Sequence, residues 1–453
     1  MTEPGLDRID SLLLDHSRLH SNTGIAVAII HDTSILYNKG FGYANLATRD
    51  TVTSNTLFHL GSVPKAFVAI ALMQLVEQNK VDLDSPVVNY IPELRFKDPR
   101  YRDITVRHLA THTSGIYSNR NHNWDSPKNT DDALDDFVRS LDFDQLRFNP
   151  GEAFNYSDLN YDILGDVIYR VTGISFEEYM KAFVLDPSGM TESSFFLPDT
   201  HKVARPYIDD YKNCSISKGS LYPVNRERAP SGTLFSNTDE MCNWMIMNLH
   251  RGKFGSNVIL EDTTYDILWN PFIETTWNSG FYESMGIGWF AGHYNGKKTY
   301  LHSGVDYGYR AIFCIIPEDQ YGVVILSNYR EAAVHYLLNG ILAELYRTGQ
   351  SDSSFNLISK SEYPDIAGDY VNEANETIVI TSDGDKLYLR FYDFSCCLSS
   401  VREGNIMAGQ LFENPVRPLY YDHADIFLSK VRDDTGNMEY IITLNGVIFR
   451  KEK

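Results

Sequence analysis

"FHLGSVPKAFVAI", residues 58–70, places Ser62 directly after Gly61 and Lys65 three residues later, with apolar residues on both sides. From Pro64 to Lys80 the apolar residues fall on nearly every side of a helical wheel, which predicts a helix buried all round with Ser62 at its N-terminus. Residues three apart share a helical face, so Lys65 would hold its amine over Ser62. An amine kept partly neutral by burial can take a serine proton, and the helix dipole favours an oxyanion at that end. A serine at a helix start is also the usual N-cap, so Ser62 alone leaves both readings open. The motif is weak in isolation: a second Ser-x-x-Lys, Ser215 to Lys218 in "NCSISKGS", lies in a polar stretch without helical periodicity.

Outward from that helix, "GIAVAIIHDTSILYNKGFGYAN" reads as two β-rich runs around the polar turn His31 to Ser34. Residues 100–250 are mostly helical patterns and loops. Strands return near residue 285 in "MGIGWFAGHY", "KTYLHSGVDYGYRAIFCIIPE" and "QYGVVILSN", followed by a helical run that Gly349 ends. The fold class expected is α+β: an antiparallel sheet built from both ends of the region, flanked by helices, with a helical insertion. "QSDSSFNLISKSEYP" reads as a polar linker, and the short strands after it suggest a small antiparallel barrel or sandwich. The domains expected are therefore 1–350 and 361–453.

Composition narrows the function classes. Forty Lys+Arg against 60 Asp+Glu give a net charge of −20, and no basic block offers a footprint for nucleic acid. The longest apolar run, Phe67 to Val76, is far short of the roughly 20 residues that span a bilayer, so no membrane partner is expected. The N-terminus lacks a basic region followed by a long apolar one, which reads as cytosolic. Cys214, Cys242, Cys314, Cys396 and Cys397 are scattered, without metal-ligand spacing, and read as reduced thiols. His108 and His112 in "HLATH" could share a helical face like paired metal ligands, but the glutamate of a zinc-hydrolase helix is missing. No metal or other cofactor is expected.

Two further stretches bear on Ser62. "PGEAFNYSDLNYDILG" holds Tyr156, Ser157 and Asp158, and "YLHSGVDYGYR" holds His302, Ser303 and Gly304 at the start of a strand. With Ser62 and Lys65, in this order and spacing, they resemble the three motifs of the penicillin-recognising serine enzymes, a family that includes class C β-lactamases, DD-peptidases, D-aminopeptidases, esterases and acyltransferases. "HLATHTSGI", "LDPSGMTESSF" and "PSGTLFSNTDEM" extend the resemblance over most of residues 20–345. It implies Ser62 as nucleophile, Lys65 as activating amine, Tyr156 as the phenol relaying a proton to the leaving group, and Asp158 and His302 bordering the substrate. It implies an oxyanion hole from the backbone N–H groups of Ser62 and Val305, with Ser303 beside them and Gly304 letting substrate approach the strand. The tail resembles the lipocalin-like appendage of some family members.

Two positions depart from the family pattern. The second motif commonly ends in asparagine, and Asp158 cannot donate a hydrogen bond when ionised. The third commonly begins with lysine, whereas His302 is mostly neutral at pH 7. Both changes disfavour anionic β-lactams and point to a small-molecule or peptide substrate carrying an amide, peptide or ester acyl group. An acyltransferase or peptide cyclase, and a non-catalytic ligand-binding protein, are the alternatives; the oligomeric state is left open. If Asp158 lies near Lys65 it should raise the lysine pKa, and the ammonium should lower that of Tyr156.

Overall fold

The apolar run at residues 25–30 is buried along its whole length because it becomes an inner strand. In the computed structural model Ile25–His31 pairs antiparallel with Ser34–Phe41 on one side and with Tyr321–Ser327 on the other. The sheet continues through Tyr309–Ile316, Lys297–Asp306, Phe290–Tyr294, Ser284–Met285 and Ile273–Glu274, eight strands in all. The expected sheet from two distant parts of the chain is thus present. The structure describes residues 3–117, 122–210, 215–275, 280–347 and 363–371, and beyond these the strands within 377–451.

The chain divides into two compact units. The larger, Thr23–Pro206 with Gly219–Arg330, contains the eight-stranded sheet and one extended apolar core. Its central helix, Pro64–Glu77, is buried from Pro64 to Leu75, as a helix without a polar face must be. Phe67 stacks on Trp244 of the helix Thr238–Leu249, and Trp244 in turn on Trp289. Each such fully buried large side chain contributes roughly 1.5–3 kcal/mol of transfer free energy, which fixes the central helix against its neighbours.

The smaller unit comprises Met1–Asn22, Tyr207–Lys218 and Glu331–Lys453. Within it the helix Glu3–Leu19 packs on Val334–Leu345, with Arg8 paired to Glu344 at 2.7 Å. Ser215–Lys218 is a strand paired with Tyr207–Asp210, not a helical turn. The C-terminal strands form a nine-stranded antiparallel sheet in which Gly368–Val371 lies between Thr377–Asp383 and Val447–Lys451. The expected strands are there; closure into a barrel is not, because among the described residues the end strands Phe394–Leu398 and Val401–Arg402 are not paired with each other. The linker reading at 350–364 lies outside the described residues as far as 362, and its last two residues, Tyr363 and Pro364, open the short helix Tyr363–Ile366; no described helix is long and apolar enough to cross a membrane.

Candidate active site

Gly61 takes a left-handed φ of +56°, turning the chain sharply into the central helix. Pro64 occupies the first helical position, where its missing N–H costs nothing, and Val63 is the N-cap without a side-chain cap bond. Ser62 is therefore not a cap. It is half-buried, and its Oγ accepts a hydrogen bond from Lys65 Nζ at 3.0 Å.

The second arm is the loop at residues 155–157 leading into the helix Asp158–Thr172. His112, itself left-handed at φ +56°, braces this loop on both sides of Tyr156. Its carbonyl accepts from Asn155 N at 2.8 Å and its Nδ1 from Ser157 N at 3.2 Å, while its ring lies 4.3 Å from that of Tyr156. His108, by contrast, forms a capping box with Thr105. The two histidines of "HLATH" thus have separate structural tasks.

The third arm is the strand Lys297–Asp306, which presents alternate residues to the Ser62 turn. A Cβ on Gly304 would lie 1.9 Å from the carbonyl oxygen of Leu60 and 2.7 Å from Ser62 N, and one on Gly61 would lie 2.6 Å from Val305 N. Only glycine permits this backbone-to-backbone approach. The space that Gly304 leaves is filled by the Ser62 turn, where the sequence reading assigned it to substrate. The contact sets the backbone nitrogens of Ser62 and Val305 on the two segments that meet there. Ser303 Oγ accepts from the Tyr282 hydroxyl at 2.8 Å.

His302 lies in the interior, only 1% exposed, with its ring 5.4 Å from Phe290 and 6.4 Å from Tyr156. Its Nδ1 donates to the Ser303 carbonyl at 2.7 Å. Burial, reinforced by the Lys65 charge, pushes its pKa down to about 3, so it is neutral at pH 7.

Lys65 Nζ meets Ser62 Oγ, the Ser231 carbonyl at 2.5 Å and Asp158 Oδ1 at 2.7 Å. The lysine is fully buried, and burial alone would lower its pKa; Asp158 first, then Tyr156, outweigh this and hold it above its ordinary value. Burial would likewise raise Asp158, but the Lys65 charge and then His122, whose Nε2 is 3.4 Å from Asp158 Oδ2, hold it well below the carboxylate range. Tyr156 is hydrogen-bonded to both Lys65 and Ser62. Its pKa is raised, against the sequence expectation, because burial of the phenol outweighs the nearby ammonium.

The structure therefore brings Ser62, Lys65, Tyr156, Asp158, His302, Ser303, Gly304 and Val305 together in one unit. Sequence reasoning missed His122, Ser231 and Tyr282. Ser231 lies within the quoted "PSGTLFSNTDEM", but it acts through its carbonyl, which no side-chain pattern discloses. The arrangement can activate a hydroxyl, hold a proton on a phenol or amine beside it, and meet a developing oxyanion with two N–H donors.

Residues 10–345 match the family described as Beta-lactamase. The chain is similar to protein flp of Staphylococcus aureus (strain MRSA252), 26% identical over 346 residues, 76% of this chain and 67% of that protein. It is also similar to the putative penicillin-binding protein PbpX of Bacillus subtilis (strain 168), 27% identical over 305 residues, 67% of this chain and 70% of that one. Among solved structures, the octameric penicillin-binding protein homologue from Pyrococcus abyssi is 26% identical with a TM-score of 0.70, covering 99% of this chain and 98% of that one. The D-amino acid amidase from Ochrobactrum anthropi SV3, 19% identical with a TM-score of 0.65 over 76% of this chain and 99% of that one, shares the fold.

Proposed function

The chain belongs to the beta-lactamase family, and from that premise we propose that it is a serine hydrolase working through an acyl-enzyme on amide, peptide or ester bonds. The observation that carries this reading is the contact of one buried amine, Lys65 Nζ, with Ser62 Oγ at 3.0 Å, beside a phenol bonded to both.

In the proposed reaction Ser62 Oγ attacks the carbonyl carbon while its proton passes to neutral Lys65. As an amine, Lys65 keeps two N–H bonds, to Ser231 O and Asp158, and its lone pair faces the serine hydroxyl. The oxyanion is met by the N–H groups of Ser62 and Val305. Collapse breaks the bond to the leaving group, which receives a proton from the Tyr156 hydroxyl, itself reprotonated from Lys65. Water then attacks the acyl-enzyme by the same route, restoring Ser62. Lys65 is held by Asp158, so its charge is not left over for an anionic β-lactam carboxylate. We further propose that residues 361–453 form a separate domain and that the chain assembles as an oligomer, as the Pyrococcus abyssi protein does.

Incubation with a fluorophosphonate followed by peptide mass spectrometry tests the reading. One adduct is expected at Ser62, absent in Ser62→Ala with the fold intact. Labelling at Ser215 in its place would sink the assignment.

A further inference from the structure

The strand that carries His302 and Gly304 places a third residue on the same face. Side chains two apart along a strand point the same way, so His302, Gly304 and Asp306 all face the Ser62 turn. Gly304 abuts the turn itself, and His302 lies on the side of Tyr156. Asp306 stands roughly 7 Å further along, on the opposite side. With the leaving group at Tyr156, that opposite side receives the acyl portion of the substrate.

Asp306 is half-buried and anchored through one oxygen only: its Oδ1 accepts from Trp124 Nε1 and from Tyr307 N, both at 2.7 Å. Oδ2 faces Gly232, the residue after the carbonyl that holds Lys65. A Cβ on Gly232 would find nothing nearer than Asp306 Oδ2 at 3.8 Å and the Trp124 ring at 4.0 Å, so there is room between them. No described lysine or arginine is ion-paired with Asp306. The adjacent His59 is buried and neutral at pH 7, its pKa pushed down to about 4 by desolvation. Lys65 and Asp158 offset each other. The acyl end of the site thus offers a negative charge with one free oxygen beside the indole edge, a setting suited to a desolvated cation.

We propose that Asp306 is the specificity-determining residue for a protonated amine carried within two or three bonds of the scissile carbonyl, so that the preferred acyl donors are amides or esters of amino acids with a free amino group. This rests on the serine acyl-enzyme reading. The amine donates to Asp306 Oδ2, and no covalent step is added to the reaction.

The test follows the rate at which a fluorophosphonate labels Ser62 in the full chain, with leucinamide of either configuration or its N-acetyl derivative as competitor at pH 7. Leucinamide should protect at concentrations about 10- to 100-fold below those of the neutral derivative. Asp306→Asn keeps an oxygen for Trp124 and Tyr307 but loses the charge, and should abolish that difference. Trp124→Phe removes the anchor yet keeps the carboxylate, and should retain the preference. Equal protection by both competitors in the unaltered protein, or a preference unchanged in Asp306→Asn, overturns the proposal. Absence of Ser62 labelling without competitor would overturn the acyl-enzyme reading instead.

Discussion

Asp158 Oδ1 lies 2.7 Å from Lys65 Nζ, the same nitrogen that touches Ser62 Oγ, so the residue that replaces the family's usual asparagine bears directly on the candidate base. The carboxylate favours the ammonium form, in which every proton of Lys65 has an acceptor and none of its electrons face the serine.

The first prediction concerns pH. Asp158→Asn removes the larger influence that raises Lys65 while leaving the burial that lowers it. If Lys65 is the base, the acid limb of kcat/KM should move to lower pH by about one to two units. The asparagine amide should also speed acylation by penicillins. A pH–rate profile of both forms with a neutral ester substrate reads the first effect, and an unmoved acid limb would assign the base elsewhere.

Gly304→Ala should be far more damaging than its single methyl suggests. The Cβ would lie 1.9 Å from the carbonyl oxygen of Leu60, so strand and turn must separate. Displacing the two candidate oxyanion donors by about 1 Å should cost on the order of 100-fold in kcat/KM. Steady-state kinetics alongside circular dichroism would separate this from unfolding.

Arg228 and Asp162 form a buried pair at 2.9 Å, one helical turn beyond Asp158. Arg228→Met leaves the carboxylate without its cation and should destabilise by about 3–5 kcal/mol. Adding Asp162→Leu should recover most of that loss. Urea denaturation of the single and double variants decides whether the pair acts in this way.

Asp166, the next residue in the same i, i+4 series, has its pKa raised to about 7, chiefly by burial. Between its ordinary carboxyl value and about 7 the folded state binds more protons than the unfolded one. This group therefore makes stability fall as pH rises through that window and leaves it level above. Asp166→Asn should remove the slope, with a relative gain at pH 8 over pH 4 of at most about 4 kcal/mol, less whatever its contact with Arg170 contributes. Unfolding free energies at both pH values give the sign.

Limited proteolysis tests the division proposed for the tail. A first cut within residues 350–364 that releases two folded fragments is the expected result. Resistance there, with truncation at residue 350 unfolding the remainder, would make the tail part of one cooperative unit.

The sequence disclosed what local pattern can carry. An all-round apolar helix starting at Pro64 put Ser62 and Lys65 on one turn, and β-rich runs near residues 25 and 300 implied a sheet from distant parts of the chain. His122 was illegible because "NRNHNWDS" has no periodicity, and its meeting with Asp158 depends on a loop path. The direction of the Tyr156 shift was misjudged because a neighbouring charge can be guessed from spacing whereas the depth of burial cannot. What fills the space at Gly304 depended on Leu60, some 240 residues earlier.

That last separation has a consequence for synthesis. One half of the candidate oxyanion hole is made when the ribosome passes Ser62 and the other only when it passes Val305. At roughly 5–20 residues per second the nascent chain spends on the order of 10–50 s with its serine translated and no second donor to meet a substrate. A chain prematurely terminated before residue 305 would carry Ser62, Lys65 and Tyr156 without the second candidate donor. Acylation competence would thus report that translation has run past the last motif and that the sheet has closed behind it.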